Sequence, residues 1–185
     1  MDALSRRSFG LGNLVCMSDF LSHETDPAEA LKAAFRRHAS GVSVITLVGT
    51  EGQPVGFTAT SMTSLGATPP LASFNVARGS STWPHLLEAK HVAIHTLGAE
   101  NLALAQRMAA DHTQRFVEQD WIVGPEGLPI FPAATSVLIA RVREIHNVEN
   151  NAVVIVDVLE GMLGSEDDAL LYHHRKYLKP GEELS

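Results

Sequence analysis

The chain holds one cysteine, Cys16, in 185 residues. No disulfide can close within it, and a cysteine-based zinc site lacks its ligands. That usage fits a reducing, cytoplasmic setting. Positive charge is also scarce: 14 Lys and Arg stand against 21 Asp and Glu, a formal net charge of −7. Nucleic acid is therefore not the expected partner, because phosphate backbones are bound by basic faces. No apolar run approaches the ~20 residues of a membrane span, so no membrane partner is expected either. A Walker loop is absent, as is a Gly-x-Ser-x-Gly nucleophile elbow. Gly10-Leu11-Gly12 is the one hint of a dinucleotide fingerprint; it follows no strand pattern and lacks the third glycine. His91 with His95, and His173 with His174, offer pairs without a third ligand, so no metal is expected.

What is present suits one domain with a real core: 45% of residues are hydrophobic and 19% charged. Residues 1–25 show no period and read as a disordered leader. The apolar stretch after Arg6-Arg7 is short and broken by glycines and Asn13, unlike an export signal. The domain is expected over 26–180. Asp26 is a plausible N-cap, with Pro27 in the first helical position and Glu29 in the first turn. Leu31, Ala34, Phe35 and His38 follow at helical spacing, predicting a one-faced packed helix with His38 on its apolar side. Strands are predicted over 41–47, 55–60, 71–76, 91–97, 134–147 and 152–163, and a second helix over 100–110. In that helix Leu102, Ala105 and Ala109 mark the stripe that Leu104 and Met108 widen. Glu149-Asn150-Asn151 reads as a hairpin turn because Asn tolerates positive φ. Residues 124–132, rich in Gly and Pro, read as irregular. Residues 167–177 read as a short helix or extended tail. Sequential hairpins with few helices predict a mainly β, antiparallel barrel, closed or split.

The stretch from Gly56 to Pro70 stands out. Thr58, Thr60, Ser61, Thr63 and Ser64 crowd together in a segment without any charge. Buried hydroxyls need partners, so the segment suits a wall around a planar polar ligand. It reads equally as a Thr-rich strand followed by a turn. Downstream, Arg78-Gly79-Ser80-Ser81-Thr82-Trp83-Pro84 places hydroxyls and a cation where Ser81 or Thr82 can cap a helix, a chemistry suited to an anion.

Gly56, Thr58, Ala59, Ser61, Ser64, Pro69, Pro70 and Leu71, followed by a short strand and a Ser/Arg-rich turn, resemble the flavin reductase-like family. Met62 departs from it where the family has Phe, and Gly66 where it has a second Ser. The likeness runs from about Ala28 to Tyr177. It implies a six-stranded antiparallel Greek-key split barrel with flanking short helices, the FMN-binding split barrel, and a homodimer. It also implies an NAD(P)H:flavin reductase that passes hydride from NADH or NADPH to FMN or FAD and supplies reduced flavin to a partner monooxygenase. The alternative is a flavin carrier or sensor without efficient turnover.

Carried over by position, Thr58, Ala59, Thr60, Ser61, Met62, Thr63 and Ser64 would meet the flavin ring and ribityl chain. Ser80, Ser81 and Thr82 would meet the phosphate, with Arg78 nearby, and Gln114, Arg115 and Phe116 would form a second loop against the cofactor. Asn151 stands where many members carry the histidine associated with nicotinamide. It can hydrogen-bond a carboxamide but carries no charge. His174 and Tyr177 would face the nicotinamide side. Hydride transfer between stacked rings needs no protein acid or base, so no catalytic residue is expected.

Overall fold

The structure, a computed structural model, describes residues 24–181. The expected leader lies outside the described residues but for its last two. Two bodies divide between Phe35 and Arg36.

The first carries most of helix α1 (Pro27–Arg37). Asp26 caps it, its Oδ1 accepting from the Ala28 N–H at 2.9 Å. The expected packed stripe is not seen: no residue of α1 is buried, and Leu31 and Phe35 are more than half exposed. His38, expected to be packed, is exposed as well. Helical spacing makes a helix amphipathic without specifying what covers its apolar side.

The second body is built on strands β1 (Ser40–Gly41), β2 (Ser43–Val48), β3 (Pro54–Ala59), β4 (Thr63–Ala67) and β5 (Pro70–Ala77). Helix α2 (Trp83–Leu86), strand β6 (His91–Thr96) and helix α3 (Leu102–Ala109) follow. Then come β7 (Ile122–Val123), β8 (Pro129–Ile130), β9 (Ser136–Val148), β10 (Asn151–Leu163), β11 (Leu171–His173) and β12 (Lys176–Leu178). The main sheet has seven strands in the order β3-β2-β6-β9-β10-β5-β4, every neighbour antiparallel. Six were expected. The seventh is β4, a fully exposed edge strand that the second half of the hydroxyl stretch adds to β5.

The sheet rolls up into a barrel whose seam lies between β3 and β5. No ladder joins those two strands. Instead Phe57 and Phe74 bring their rings to 6.1 Å, and Ser61 Oγ accepts from the Asn75 N–H at 2.9 Å. This is the split barrel that the sequence predicts.

Strand alternation divides the core in two. Ile45, Leu47, Phe74, Val92, Ile94, Val154 and Val156 fill one cluster, with Trp83 and Leu86 of α2 beside them. Val42, Val44, Ala93 and Ile139 turn the other way, against Leu104, Ala105 and Met108 of α3 and against Leu128 and Phe131. Leu102 and Ala109, expected in the stripe of α3, are exposed; the buried face is Leu104–Ala105–Met108. The buried face is thus turned by a little under one residue step about the helix axis from the expected Leu102–Ala105–Ala109 stripe, and Ala105 is common to both.

Two turns differ from expectation in detail. The β9–β10 turn forms, but positive φ falls on Glu149 (50°) rather than on an asparagine. Residues 171–178 form the β11–β12 hairpin, with His174 and Arg175 at φ 49° and 61°. That excludes the short helix. The Gly/Pro-rich stretch 124–132 holds a 3₁₀ turn at Pro125–Gly127 and β8, which pairs with β7, and is otherwise irregular.

Buried within the sheet, His95 places Nδ1 3.0 Å from the Val44 carbonyl and accepts the Phe131 N–H on Nε2 at 3.1 Å. These bonds assign the proton to Nδ1. Burial pulls its pKa down to about 4, against the opposing effect of the Val44 bond. His91, on the same strand, faces Glu126 at 3.4 Å.

Candidate functional site

The hydroxyl stretch does not form one continuous lining. Thr58 Oγ1, half-buried on β3, donates to the Ala105 carbonyl of α3 at 2.9 Å. Ala59 is buried in the barrel. Thr60 is exposed where β3 ends, Ser61 holds the seam, and Met62 packs on the barrel core with its sulfur 3.7 Å from Ser43 Oγ. Thr63 and Ser64 lie exposed on β4. Alternation along β3, followed by the break at Thr60–Met62, sends neighbouring hydroxyls to different surroundings.

A cleft of about 170 Å³ opens next to this segment. Gln53, Pro54, Val55 and Gly56 form one wall, from the start of β3. Ser81, Thr82 and His85 form the second, and His112, Arg115 and Phe116 the third. Gly56 is needed here: a Cβ would sit 2.7 Å from the Ile45 carbonyl oxygen and 2.8 Å from Met108 Cε. With no side chain there, β3 lies close against β2 and α3.

The turn before α2 brings two of the three expected hydroxyls, Ser81 and Thr82, to the cleft. Thr82 is fully buried, yet its Oγ1 has no partner among the described residues, and neither has the buried Oγ of Ser80. Buried hydroxyls are normally bonded, so this pair marks a place built for an acceptor or donor from outside. Thr82 precedes α2 with helical φ/ψ and no side-chain cap bond. The Trp83 and Leu86 N–H groups are spent on Ser80 and Thr82 carbonyls, and Pro84 has none. Hydroxyls, rather than a free helix terminus, are what this turn offers an anion.

Arg115 supplies the charge. Its Nη1 donates to the Gly56 carbonyl at 2.8 Å, and its Nε and Nη2 to the Ala110 carbonyl at 3.0 and 2.9 Å. Partial burial lowers its pKa while the Asp111 carboxylate opposes the shift; a guanidinium still stays charged. Two of its five N–H donors remain unspent. Phe116 stacks on Phe131 at 5.8 Å and meets Trp121 edge-on. Gln114 is exposed and does not line the cleft.

Arg78 is placed elsewhere. Its N–H donates to the Asn150 carbonyl, its Nη1 to the Glu149 carbonyl at 2.8 Å, and its guanidinium lies 5.7 Å from the Trp83 ring centre. It joins the strand end of β5 to the hairpin that carries Asn151, which is exposed and pairs with Ala77. Tyr177 meets Tyr172 edge-on at 5.2 Å on the opposite core cluster, and burial raises its pKa. His174 is exposed beside it at the hairpin tip, its ring 4.3 Å from that of His173. Thus Ser81, Thr82, Arg115 and Phe116 share one cleft, while Arg78 with Asn151, and His174 with Tyr177, form two further groups. His85, His112 and Gln53 were missed from sequence. No spacing rule links them, and only folding brings them to one rim.

A sequence model of the flavin reductase-like domain matches residues 35–181. The chain belongs to the flavin reductase-like family. Its similarity to two NADH:FMN oxidoreductases, from Rhodococcus erythropolis and Rhodococcus qingshengii, is 40% identity over 154 residues, 80% of this chain and 80% of each of those. The crystal structure of a flavin reductase domain protein from Arthrobacter sp. FB24 superposes with a TM-score of 0.82 at 42% identity, covering 85% of this chain and 98% of that one. BorF, the flavin reductase component of a bacterial two-component tryptophan halogenase, is 25% identical with a TM-score of 0.74, covering 84% of this chain and 99% of its own.

The lining of the cleft suits the phosphate of a flavin nucleotide. Among its lining residues there is no carboxylate, in a chain of net charge −7, and it combines an arginine with an unbonded buried hydroxyl.

Proposed function

We propose that this flavin reductase-like protein oxidises NADH, or NADPH, and passes the hydride to FMN or FAD, with the flavin phosphate seated in the cleft of Thr82 and Arg115. The relatives named as NADH:FMN oxidoreductases support the pairing of NADH with FMN. The single observation that carries the placement is the buried Thr82 Oγ1, unbonded among the described residues, in a cleft that Arg115 also lines and that no carboxylate lines.

When bound, the flavin supplies the hydride-accepting ring. The chain's own residues bind and orient. Thr82 and Ser81 offer hydroxyls, Arg115 offers charge-assisted donors, and Gly56 lets the β3 wall close on β2 and α3. Thr60–Ser64 lie next in sequence to that wall and would follow the ring and ribityl chain. Asn151, on the hairpin tied to Arg78, would bond a carboxamide. Alignment of two stacked rings can contribute several kcal/mol, ~7–11 at best, so no titrating residue is required.

The protein would act in the cytoplasm as a homodimer and hand reduced flavin to an oxygenase component. Leu159, Met162 and Leu163, exposed along β10, support a covered face in the working assembly.

The test is direct. Full-length protein with NADH and FMN should consume NADH far above the enzyme-free rate. A protein that binds FMN but leaves NADH untouched would defeat the reductase reading, and light scattering showing a monomer at working concentration would defeat the dimer.

A further inference from the structure

Two histidines stand on the rim of the cleft without a role in the reading above. His85 is fixed by its neighbour: Nδ1 accepts the Thr50 N–H at 3.3 Å and lies 3.1 Å from Thr50 Oγ1. Accepting on Nδ1 assigns the proton of the neutral ring to Nε2, and Nε2 has no partner among the described residues. His112 comes from the loop after α3. Its Nδ1 lies 3.7 Å from Asp111 Oδ1, a carboxylate already bonded to the N–H and hydroxyl of Thr113, and its Nε2 is likewise without a partner among the described residues. Both side chains line the cleft with Thr82 and Arg115.

The cleft therefore gathers three unspent donor groups, a hydroxyl, a guanidinium and the His85 Nε2–H, and beside them His112, whose Nε2 donates when the ring is protonated. No carboxylate competes among the lining residues. So many convergent donors match a group with many acceptor oxygens at one end. A terminal phosphate monoester carries about −1.5 to −2 charge at neutral pH and three strong acceptor oxygens. The internal phosphates of a dinucleotide are joined by an anhydride bridge, each esterified once. Each has one charge and fewer open oxygens, and each must also continue into further chain.

We propose that His85 and His112 are the residues that make this cleft select the terminal phosphate of a flavin mononucleotide over a flavin dinucleotide. This rests on the proposed seating of the flavin phosphate beside Thr82 and Arg115. The histidines touch the phosphate end and not the reacting ring. They set which flavin is held, and leave hydride transfer alone.

The experiment measures dissociation constants by fluorescence titration of the full-length protein with FMN, FAD and riboflavin, which lacks phosphate. His85→Leu and His112→Ala should each weaken FMN about tenfold, as expected for one hydrogen bond to a charged group. Riboflavin and FAD should change less than about twofold. His85→Gln, which restores a donor near the Nε2 position, should recover most of the loss. His112 is exposed on a loop, so its variant tests the idea even if His85→Leu folds poorly. Equal losses for all three flavins, or none, would overturn the selectivity claim. Thr82→Val separates the two levels. If it weakens FMN but not riboflavin while both histidine variants bind normally, the phosphate seat stands and the histidine proposal falls. If Thr82→Val also leaves FMN unchanged, the seat itself is misplaced and both fall.

Discussion

Arg107 donates from Nε to the backbone carbonyl of Arg115 at 3.2 Å, so one arginine of the family's second loop is held in place by another from α3. The rest of Arg107 is equally engaged. Nη1 pairs with Glu118, Nη2 with Asp120 at 2.5 Å, and the guanidinium lies 6.0 Å from the Phe131 ring centre. Its carboxylate partners raise its pKa against the effect of burial. The loop over 110–120 is thereby closed on α3 before any ligand arrives.

Arg107→Met should free that loop. Glu118 and Asp120 are exposed enough to return to water, so the fold should survive. The KM for FMN should rise several-fold with kcat within about twofold, and limited proteolysis should cut the loop faster. Arg107→Lys should recover part of the binding, because a point charge reaches the carboxylates but lacks the guanidinium's fork of donors. Wild-type KM and cleavage rate in the Met variant would show the clamp to be idle.

Gly56→Ala adds a methyl group into the Ile45 carbonyl and Met108. Overpacking of this kind costs about 1–3 kcal/mol. The Gly56 carbonyl that receives Arg115 would shift with the strand. Urea denaturation should show the loss, and flavin affinity should fall with it. A variant of unchanged stability would mean that β3 moves freely against α3.

Ser61→Ala removes a hydroxyl bond across the barrel seam. Asn75 is exposed, so water can take over its N–H, and the loss should be about 1 kcal/mol or less. In a chain of this size that lowers Tm by about 2–4 °C. A drop far larger than this would show that the seam is a cooperative element of the barrel.

His95 makes stability depend on pH. Burial holds its pKa at about 4, below the ordinary histidine value of 6.5, so the unfolded chain binds the extra proton between those values. Stability from this group is whole above pH 6.5 and is lost as pH falls toward 4, by about 3 kcal/mol at 1.36 kcal/mol per unit. Urea midpoints from pH 7 to 4.5 should fall accordingly. His95→Gln should be less stable at pH 7 and should flatten the slope. An unchanged slope would assign the acid sensitivity to other groups.

The barrel was legible because alternation in Val42–Leu47 and His91–Leu97 survives folding intact: odd and even positions do go to different core clusters. The resemblance carried the topology, which period alone leaves open. Less was legible where one segment changes partners. Thr58, Ser61 and Thr63 look alike in sequence, yet one bonds α3, one closes the seam and one is solvated on β4. The stripe on α1 showed an apolar face without its cover. His85 and His112 were invisible because convergence of helix α2 and the segment after α3 on the β3 wall is a property of tertiary structure.

Thr82 and Ser80 keep two hydroxyls out of water without a partner among the described residues. Each such group costs about 1–3 kcal/mol, so the ligand-free protein carries built-in tension at the turn before α2. Relief of that tension on occupancy makes melting temperature a colour-blind reporter of nucleotide binding. It also means that Thr82→Val should yield an apoprotein tougher than the natural one: selection here has favoured readiness for a guest over durability when alone.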